Sequence, residues 1–235
     1  MSEFLFTILV FLAFITFLLL LYNNVSVVKK YKLKTQKPCG GLKIVLISDF
    51  HNNKRLLGSI VKKVRACAPD IIIIAGDLVD RRRPDYKTAA LLLSELRGIS
   101  DVYYVTGNHE AVLGRERVIE KLNCSDIVLD ERYRIYDKFS VLGISDRIMD
   151  STQQRRDLLA LFERLDNFKI AVVHRPTEFD REQTISGYDI DLVLCGHVHG
   201  GLIRIPFFGA LLAPDEGFFP KYSKGMYKEN GSVMI

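Results

Sequence analysis

The chain contains no tryptophan and only four cysteines among its 235 residues. Cys39, Cys67, Cys124 and Cys195 stand singly, and without a CxxC pair a cysteine-based zinc site is disfavoured. A chain of this length needs no disulfide staples, so free buried thiols, and mildly a reducing compartment, are the default. There is no low-complexity tract and no internal repeat with a period of roughly 20–50 residues, which argues against fibrous, disordered and solenoid classes.

Acidic residues are absent between Asn23 and Lys43, where six lysines fall (Lys29, Lys30, Lys32, Lys34, Lys37 and Lys43). Those six lysines, less Glu3 ahead of them, account for the net charge of +5, because 27 basic and 27 acidic residues remain between Ile44 and Ile235. A broad nucleic-acid surface would need a domain-wide basic excess; none is present.

Charge is missing again from Phe4 to Tyr22, FLFTILVFLAFITFLLLLY. As a helix this run would be about 28 Å long at 1.5 Å per residue, matching a hydrocarbon core of ~30 Å. A cleavable signal peptide needs a basic leader, a shorter apolar stretch and a small-residue cleavage site, and Met1-Ser2-Glu3 and Asn23-Asn24-Val25-Ser26 supply none of these. The expected organisation is a single transmembrane anchor over residues 1–24, a basic juxtamembrane linker over 25–41 and one α/β domain over 42–235. All the flanking lysines follow the helix, which places the domain on the cytoplasmic side by the positive-inside rule; they could also rest on anionic headgroups.

From Leu42 onward apolar runs alternate with segments of helical period. Lys43–Ser48, Asp70–Ala75, Val102–Thr106, Phe168–Val173 and Asp191–Cys195 read as buried strands. Arg55–Cys67, Tyr86–Arg97, Arg115–Leu122 and Ser151–Leu165 read as helices, residues 127–144 as shorter strands, and the chain after Gly200 as short β segments. Such alternation predicts a largely parallel sheet with its ligand site beyond the carboxyl ends of the strands.

The polar residues that could do chemistry fall at those ends. Asp49-Phe50-His51 follows the first strand, Gly76-Asp77-Leu78-Val79-Asp80 the second, Gly107-Asn108-His109-Glu110 the third, His174-Arg175-Pro176 the fourth and Gly196-His197-Val198-His199-Gly200 the fifth. The five histidines of the chain all lie in these loops. A parallel sheet would gather the loops along one edge, and imidazole, carboxylate and amide oxygen together suit a hard or borderline divalent cation.

In this order the motifs DxH, GDxxD, GNHE, a lone His after a strand, and GHxH resemble the calcineurin-like metallophosphoesterase family, from about Leu42 to the C-terminus. The anchor, with HGG and IRIPFFGALLAP after the last motif, resembles its membrane-associated bacterial branch. The resemblance implies an αββα sandwich and two divalent ions (Mn, Fe, Zn or Co). It implies that Asp49, His51 and His199 hold one ion, that Asn108, His174 and His197 hold the other, and that Asp77 bridges them. The ions would activate water for in-line attack on phosphorus. His109 would give a proton to the leaving oxygen, with Glu110 orienting it or lying at the surface, and Asp80 would fix a ligand's hydrogen bonds. The implied substrate is a phosphate ester or pyrophosphate, with a lipid-linked UDP-diacylglucosamine-type pyrophosphate suggested by the anchor.

Other residues carry plainer expectations. Arg175 could meet a substrate phosphate; Arg81, Arg82 and Arg83 read as a solvated charge run. Phe207-Phe208 and Phe218-Phe219 read first as packing and second as a lipid-facing surface. Val198 and Leu202 stand where many relatives have Thr and Gln, and the chain stops at GSVMI inside an apparent strand, which suggests truncation. The alternatives are an exported or broad-specificity phosphodiesterase and a metal-binding scaffold without activity. A scaffold would show replaced ligand residues, and every ligand type is present.

Overall fold

The computed structural model describes residues 2–22, 25–146, 152–179, 185–201, 203–205, 209–213, 217–229 and 231–235. Leu202 and Phe207-Phe208, singled out above, lie outside them.

The apolar N-terminal run is one helix, α1 (Ser2–Tyr22). Among the described residues, no helix is long and apolar enough to cross a membrane. The side chains of residues 12 and 15–22, nine of the nineteen in the apolar run, lie outside the described ones, so the structure gives the expected anchor no support. The linker runs back over the domain, where Ser26 bonds to Lys63 and, at 2.7 Å, to Ser59.

The domain contains two main sheets instead of the one that strand–helix alternation suggests. β1 (Ile44–Ile47), β2 (Ile71–Ala75) and β3 (Asp101–Val105) form a parallel three-stranded sheet, crossed over by α2 (Lys54–Cys67) and α3 (Tyr86–Arg97). α4 (Asn108–Leu113) and α5 (Arg115–Leu122) follow. The chain then passes to a second sheet through single bridges from Tyr104 to Val128 and from Asp130 to Gly143. Its strands are β4 (Arg132–Ile135), β5 (Phe139–Ile144), β6 (Phe168–Val173, after α6, Thr152–Glu163) and β7 (Leu192–Leu194). A small antiparallel sheet comes next, of β8 (Ile203–Ile205), β9 (Gly209–Ala213) and β10 (Gly217–Phe218). β11 (Tyr227–Glu229) and β12 (Ser232–Met234) complete the second sheet in the order β11-β12-β7-β6-β5-β4, with antiparallel pairs at both edges.

Strand alternation sorts each apolar run between two cores. In β2, Ile71, Ile73 and Ala75 meet Val141, Ile170, Val172 and Leu194 of the second sheet, while Ile72 and Ile74 pack under α2 and α3. In β6, Ala171 and Val173 face the α6 side with Phe162 and Leu159. Every residue of β2 and β6 is buried; β2 reads as a continuous apolar run, whereas β6 also buries Lys169, whose ammonium reaches Asp189 Oδ2 at 2.6 Å. The layers are α-β-β-α. Residues 218 and 219 depart from the packing expectation: Phe218 and Phe219 are 72% and 73% exposed. Cys39, Cys124 and Cys195 are free and buried as expected; Cys67 is free but half-buried.

Candidate metal centre

The loops after β1, β2, β3, β6 and β7 meet at one end of the sandwich, drawn from both sheets. Backbone bonds tie neighbouring loops. The N–H groups of Asp49, His51 and Asn52 donate to the carbonyls of Gly76, Asp77 and Leu78 at 3.1, 3.0 and 2.9 Å, and Gly196 N–H donates to the His174 carbonyl at 2.9 Å. Across the sheets, Asp49 Oδ2 accepts the His197 N–H at 2.9 Å.

Asp49, His51, Asp77, His197 and His199 all have φ between 47° and 71°. For non-glycine residues this left-handed region costs on the order of 1–3 kcal/mol each, and it persists only where the surroundings over-determine it. Two motif glycines have steric reasons of their own. A Cβ on Gly107 would collide with Asp77 Oδ1 and lie 2.6 Å from the Asp77 nitrogen, and a Cβ on Gly76 (φ +85°) would run into the His174 ring.

The side chains form two linked groups. In the first, His51 Nε2 lies 3.3 Å from His199 Nε2, and His199 Nε2 is 3.7 Å from Asp49 Oδ1. In the second, His174 Nε2 is surrounded by Asn108 Oδ1 at 2.9 Å, His197 Nδ1 at 3.2 Å and Asp77 Oδ2 at 3.3 Å. His174 Nδ1 lies 2.9 Å from the Ala75 carbonyl, an acceptor only, so Nδ1 carries a ring proton and Nε2 is the nitrogen that faces the cluster. Asp77 Oδ2 also lies 3.9 Å from His51 Nε2, which places it between the groups. Acceptor atoms crowded this closely repel one another unless a proton or cation lies among them. The donor set, two ring nitrogens on each side of Asp77 with the Asp49 carboxylate on one side and the Asn108 amide oxygen on the other, fits divalent cations: Asp49, His51 and His199 form one cluster, and Asp77, His174 and His197 another.

The protein's own electrostatics point the same way. Burial opposes ionisation of Asp77, yet the His174 hydrogen bond and charge hold its carboxyl well below the usual range. Burial likewise opposes a charge on His174, but the Asp77 hydrogen bond and charge push it up to about 9. His51 and His109 are shifted downward, chiefly by burial.

His109 sits over the centre with Nε2 3.8 Å from Asp77 Oδ2. The Arg81 N–H donates to its Nδ1 at 3.0 Å, so the ring proton resides on Nε2, facing inward. Asp80 lies 3.8 Å from His109 Nδ1 and caps its own loop by accepting the Arg82 N–H at 2.7 Å. Arg81, Arg82 and Arg83 are exposed, in keeping with a solvated run.

Two expectations need correction. Glu110 is neither at the surface nor aimed at His109. It is fully buried and accepts the N–H groups of Asp77, Gly107 and Val79 at 2.9, 2.8 and 2.9 Å. Arg175 is buried too: its Nε donates to both oxygens of Asp146 at 3.0 Å, and its Nη1 lies 3.1 Å from His197 Nε2. Sequence reading missed Asp146, just past β5. It also missed Asn52, whose Oδ1 accepts the Asp80 and Asp85 N–H groups at 2.8 and 3.2 Å. A cavity of about 380 Å³ opens beside Asp49 and His199, whereas a groove of about 630 Å³ along α2 contains none of these residues.

The family model for calcineurin-like phosphoesterase matches residues 42–201, a span that takes in all five loops. This chain belongs to the calcineurin-like phosphoesterase family. It is 31% identical over 202 residues to an uncharacterised metallophosphoesterase of Helicobacter pylori, covering 83% of this chain and 52% of that protein. It is 30% identical over 215 residues to a bovine protein named a transmembrane protein with metallophosphoesterase domain, covering 78% of this chain and 48% of that one. The phosphoesterase thus spans about half the length of these curated relatives. A dimetal phosphatase from Danio rerio shares the fold, with a TM-score of 0.54 at 13% identity over 82% of this chain and 86% of that one.

Proposed function

We propose that this calcineurin-like phosphoesterase hydrolyses a phosphate ester or pyrophosphate at a pair of divalent ions drawn from Mn, Fe, Zn or Co. The observation that carries the reading is the position of Asp77 Oδ2, within 3.3 Å of His174 Nε2 and 3.9 Å of His51 Nε2, one from each group. Asp49, His51 and His199 would hold one ion and Asn108, His174 and His197 the other, with Asp77 shared. When bound, such a pair acidifies water and offsets charge developing on phosphoryl oxygens.

The residues around the pair supply positioning. Ala75 fixes the His174 tautomer, His197 N–H and His109 N–H hold the Asp49 and Asp77 carboxylates, and buried Glu110 anchors the Asp77 loop. His109 Nε2–H points toward the reacting region and gives its hydrogen to the leaving oxygen. Asp80 sits behind it. The test is hydrolysis of bis(p-nitrophenyl) phosphate by detergent-purified protein, stripped of metal, resupplied with manganese, and run beside Asp77→Asn. Turnover should require manganese and vanish in the variant; equal turnover in both would reject the reading.

The finer reading is a membrane-anchored enzyme, held by α1 with the domain on the cytoplasmic side and acting on a lipid-linked, UDP-diacylglucosamine-type pyrophosphate. Its support is the uncharged run of the sequence from Phe4 to Tyr22 and the exposed pair Phe218-Phe219, which leads through Pro220 and Lys221 to the cavity wall at Tyr222. A topology reporter fused at residue 235 tests the side of the membrane. Metal-loaded protein that cleaved soluble diesters and left such lipids intact would overturn the substrate.

A further inference from the structure

The cavity beside Asp49 and His199 has one wall in the metal centre and the other in the segment leading to β11. Its lining is mixed, with Pro176, Val198, Tyr222 and Met234 beside the hydroxyls of Ser48 and Ser223, and Lys224 is the cation on its wall. About 380 Å³ falls within the size range of small-molecule sites and exceeds what a bare phosphoryl group needs.

Lys224 is placed by specific contacts. Tyr227 Oη accepts the Ser223 N–H at 3.0 Å and the Lys224 N–H at 3.2 Å and donates to the Lys224 carbonyl at 3.3 Å, so one hydroxyl clamps the turn. Tyr227 in turn stands edge-on to buried Tyr222, with ring centres 5.1 Å apart. The Lys224 stem passes over Gly200: a Cβ added there would lie 3.5 Å from Lys224 Cδ. Gly200 directly follows His199. The ammonium is exposed and, among the described residues, has no carboxylate within ion-pair distance.

We propose that this cavity is the subsite for the organic group of the substrate, and that Lys224, held by Tyr227, recognises a second negative charge carried on that group. The substrate class is an ester or anhydride whose organic group is at least ring-sized and bears a further carboxylate or phosphoryl. The proposal rests on the metal-centred reading above. Hydrolysis forms a bond from the water oxygen to phosphorus and breaks the bond from phosphorus to the leaving oxygen. The leaving group departs with that oxygen and a proton, and its second charge stays at Lys224.

Non-hydrolysable phosphonates separate the subsite from the chemistry. Calorimetric titration of the manganese-loaded full chain would use methylphosphonate, phenylphosphonate, 4-carboxyphenylphosphonate and α,β-methylene-ADP, with Lys224→Ala, Lys224→Arg and Tyr227→Phe in parallel. The ring should tighten binding about fivefold over methyl. One or both added charges should give about tenfold more, and which of the two does so tells carboxylate from phosphoryl. That second gain should be lost in Lys224→Ala, kept in Lys224→Arg and reduced in Tyr227→Phe. Methylphosphonate binding as tightly as the larger ligands, or Lys224→Ala keeping the full charge-dependent gain, overturns the subsite. A protein that loads manganese and binds no phosphonate at all removes the underlying functional reading as well.

Discussion

Glu110 lies behind Asp77, fully buried, and accepts the Asp77 backbone N–H at 2.9 Å. Its other contacts, Val79 N–H at 2.9 Å and Gly107 N–H at 2.8 Å, bind the β2 and β3 loops into one unit. In Glu110→Gln, an amide NH₂ must face one of three backbone donors. An unsatisfied buried donor costs about 1–3 kcal/mol, so the variant should unfold at correspondingly lower denaturant and bind manganese more weakly. A change in stability below about 0.5 kcal/mol, within the scatter of surface substitutions, would show that Glu110 does not hold these loops.

Gly107 tests the same junction from the steric side. Its backbone φ of −100° is open to any residue, so Gly107→Ala brings no φ strain of its own and acts through its clash with the Asp77 carboxylate and backbone nitrogen. The domain should still fold, as read by circular dichroism, while manganese affinity falls at least about tenfold, roughly 1.4 kcal/mol. Unchanged affinity would mean that Asp77 is not confined as described.

The His174 imidazole, pushed up to about 9 by the Asp77 carboxylate, is protonated at pH 7 in the protein alone. A metal must displace that proton. Metal affinity measured with a buffered ion should therefore climb about tenfold per pH unit between pH 7 and 9 and level off above. The sign for stability is the reverse. The raised pKa stabilises the metal-stripped fold fully below about 6.5, the unfolded value, and this contribution is lost as pH rises through about 9. Flat metal affinity from pH 7 to 9 would contradict the arrangement.

Asp146 and Arg175 form a buried pair with two 3.0 Å contacts from Nε. Removing one partner of such a pair costs about 3–5 kcal/mol, whereas replacing both with apolar residues is often nearly neutral. Asp146→Leu alone should thus destabilise far more than Asp146→Leu with Arg175→Met, measured by urea unfolding. Additive losses in the double variant would show that the pair is not energetically coupled.

Most of the layout was legible in the sequence because buried strands announce themselves as largely apolar runs, even where one buried charge, Lys169 in β6, interrupts them. IIIIA and FKIAVV became β2 and β6, with the proposed ligands in the loops that follow. The division into two sheets was not legible from alternation, because it depends on where the chain between Val128 and Gly143 crosses over. Asp146, Asn52 and Arg175 were hidden or misread for a related reason: their partners are distant in sequence and chosen by packing. Glu110 did leave a local trace. It stands three residues after Gly107, the helix-capping spacing, and its carboxylate does accept the Gly107 N–H that opens α4.

The most direct test of the central claim is metal stoichiometry, by elemental analysis of the purified 235-residue chain dialysed against manganese. Two ions per chain are expected in the wild type and at most one, with no turnover of bis(p-nitrophenyl) phosphate, in Asp77→Asn. A folded wild type holding a single ion, or an Asp77→Asn variant that keeps both ions and full turnover, would contradict a shared carboxylate at the centre of the site.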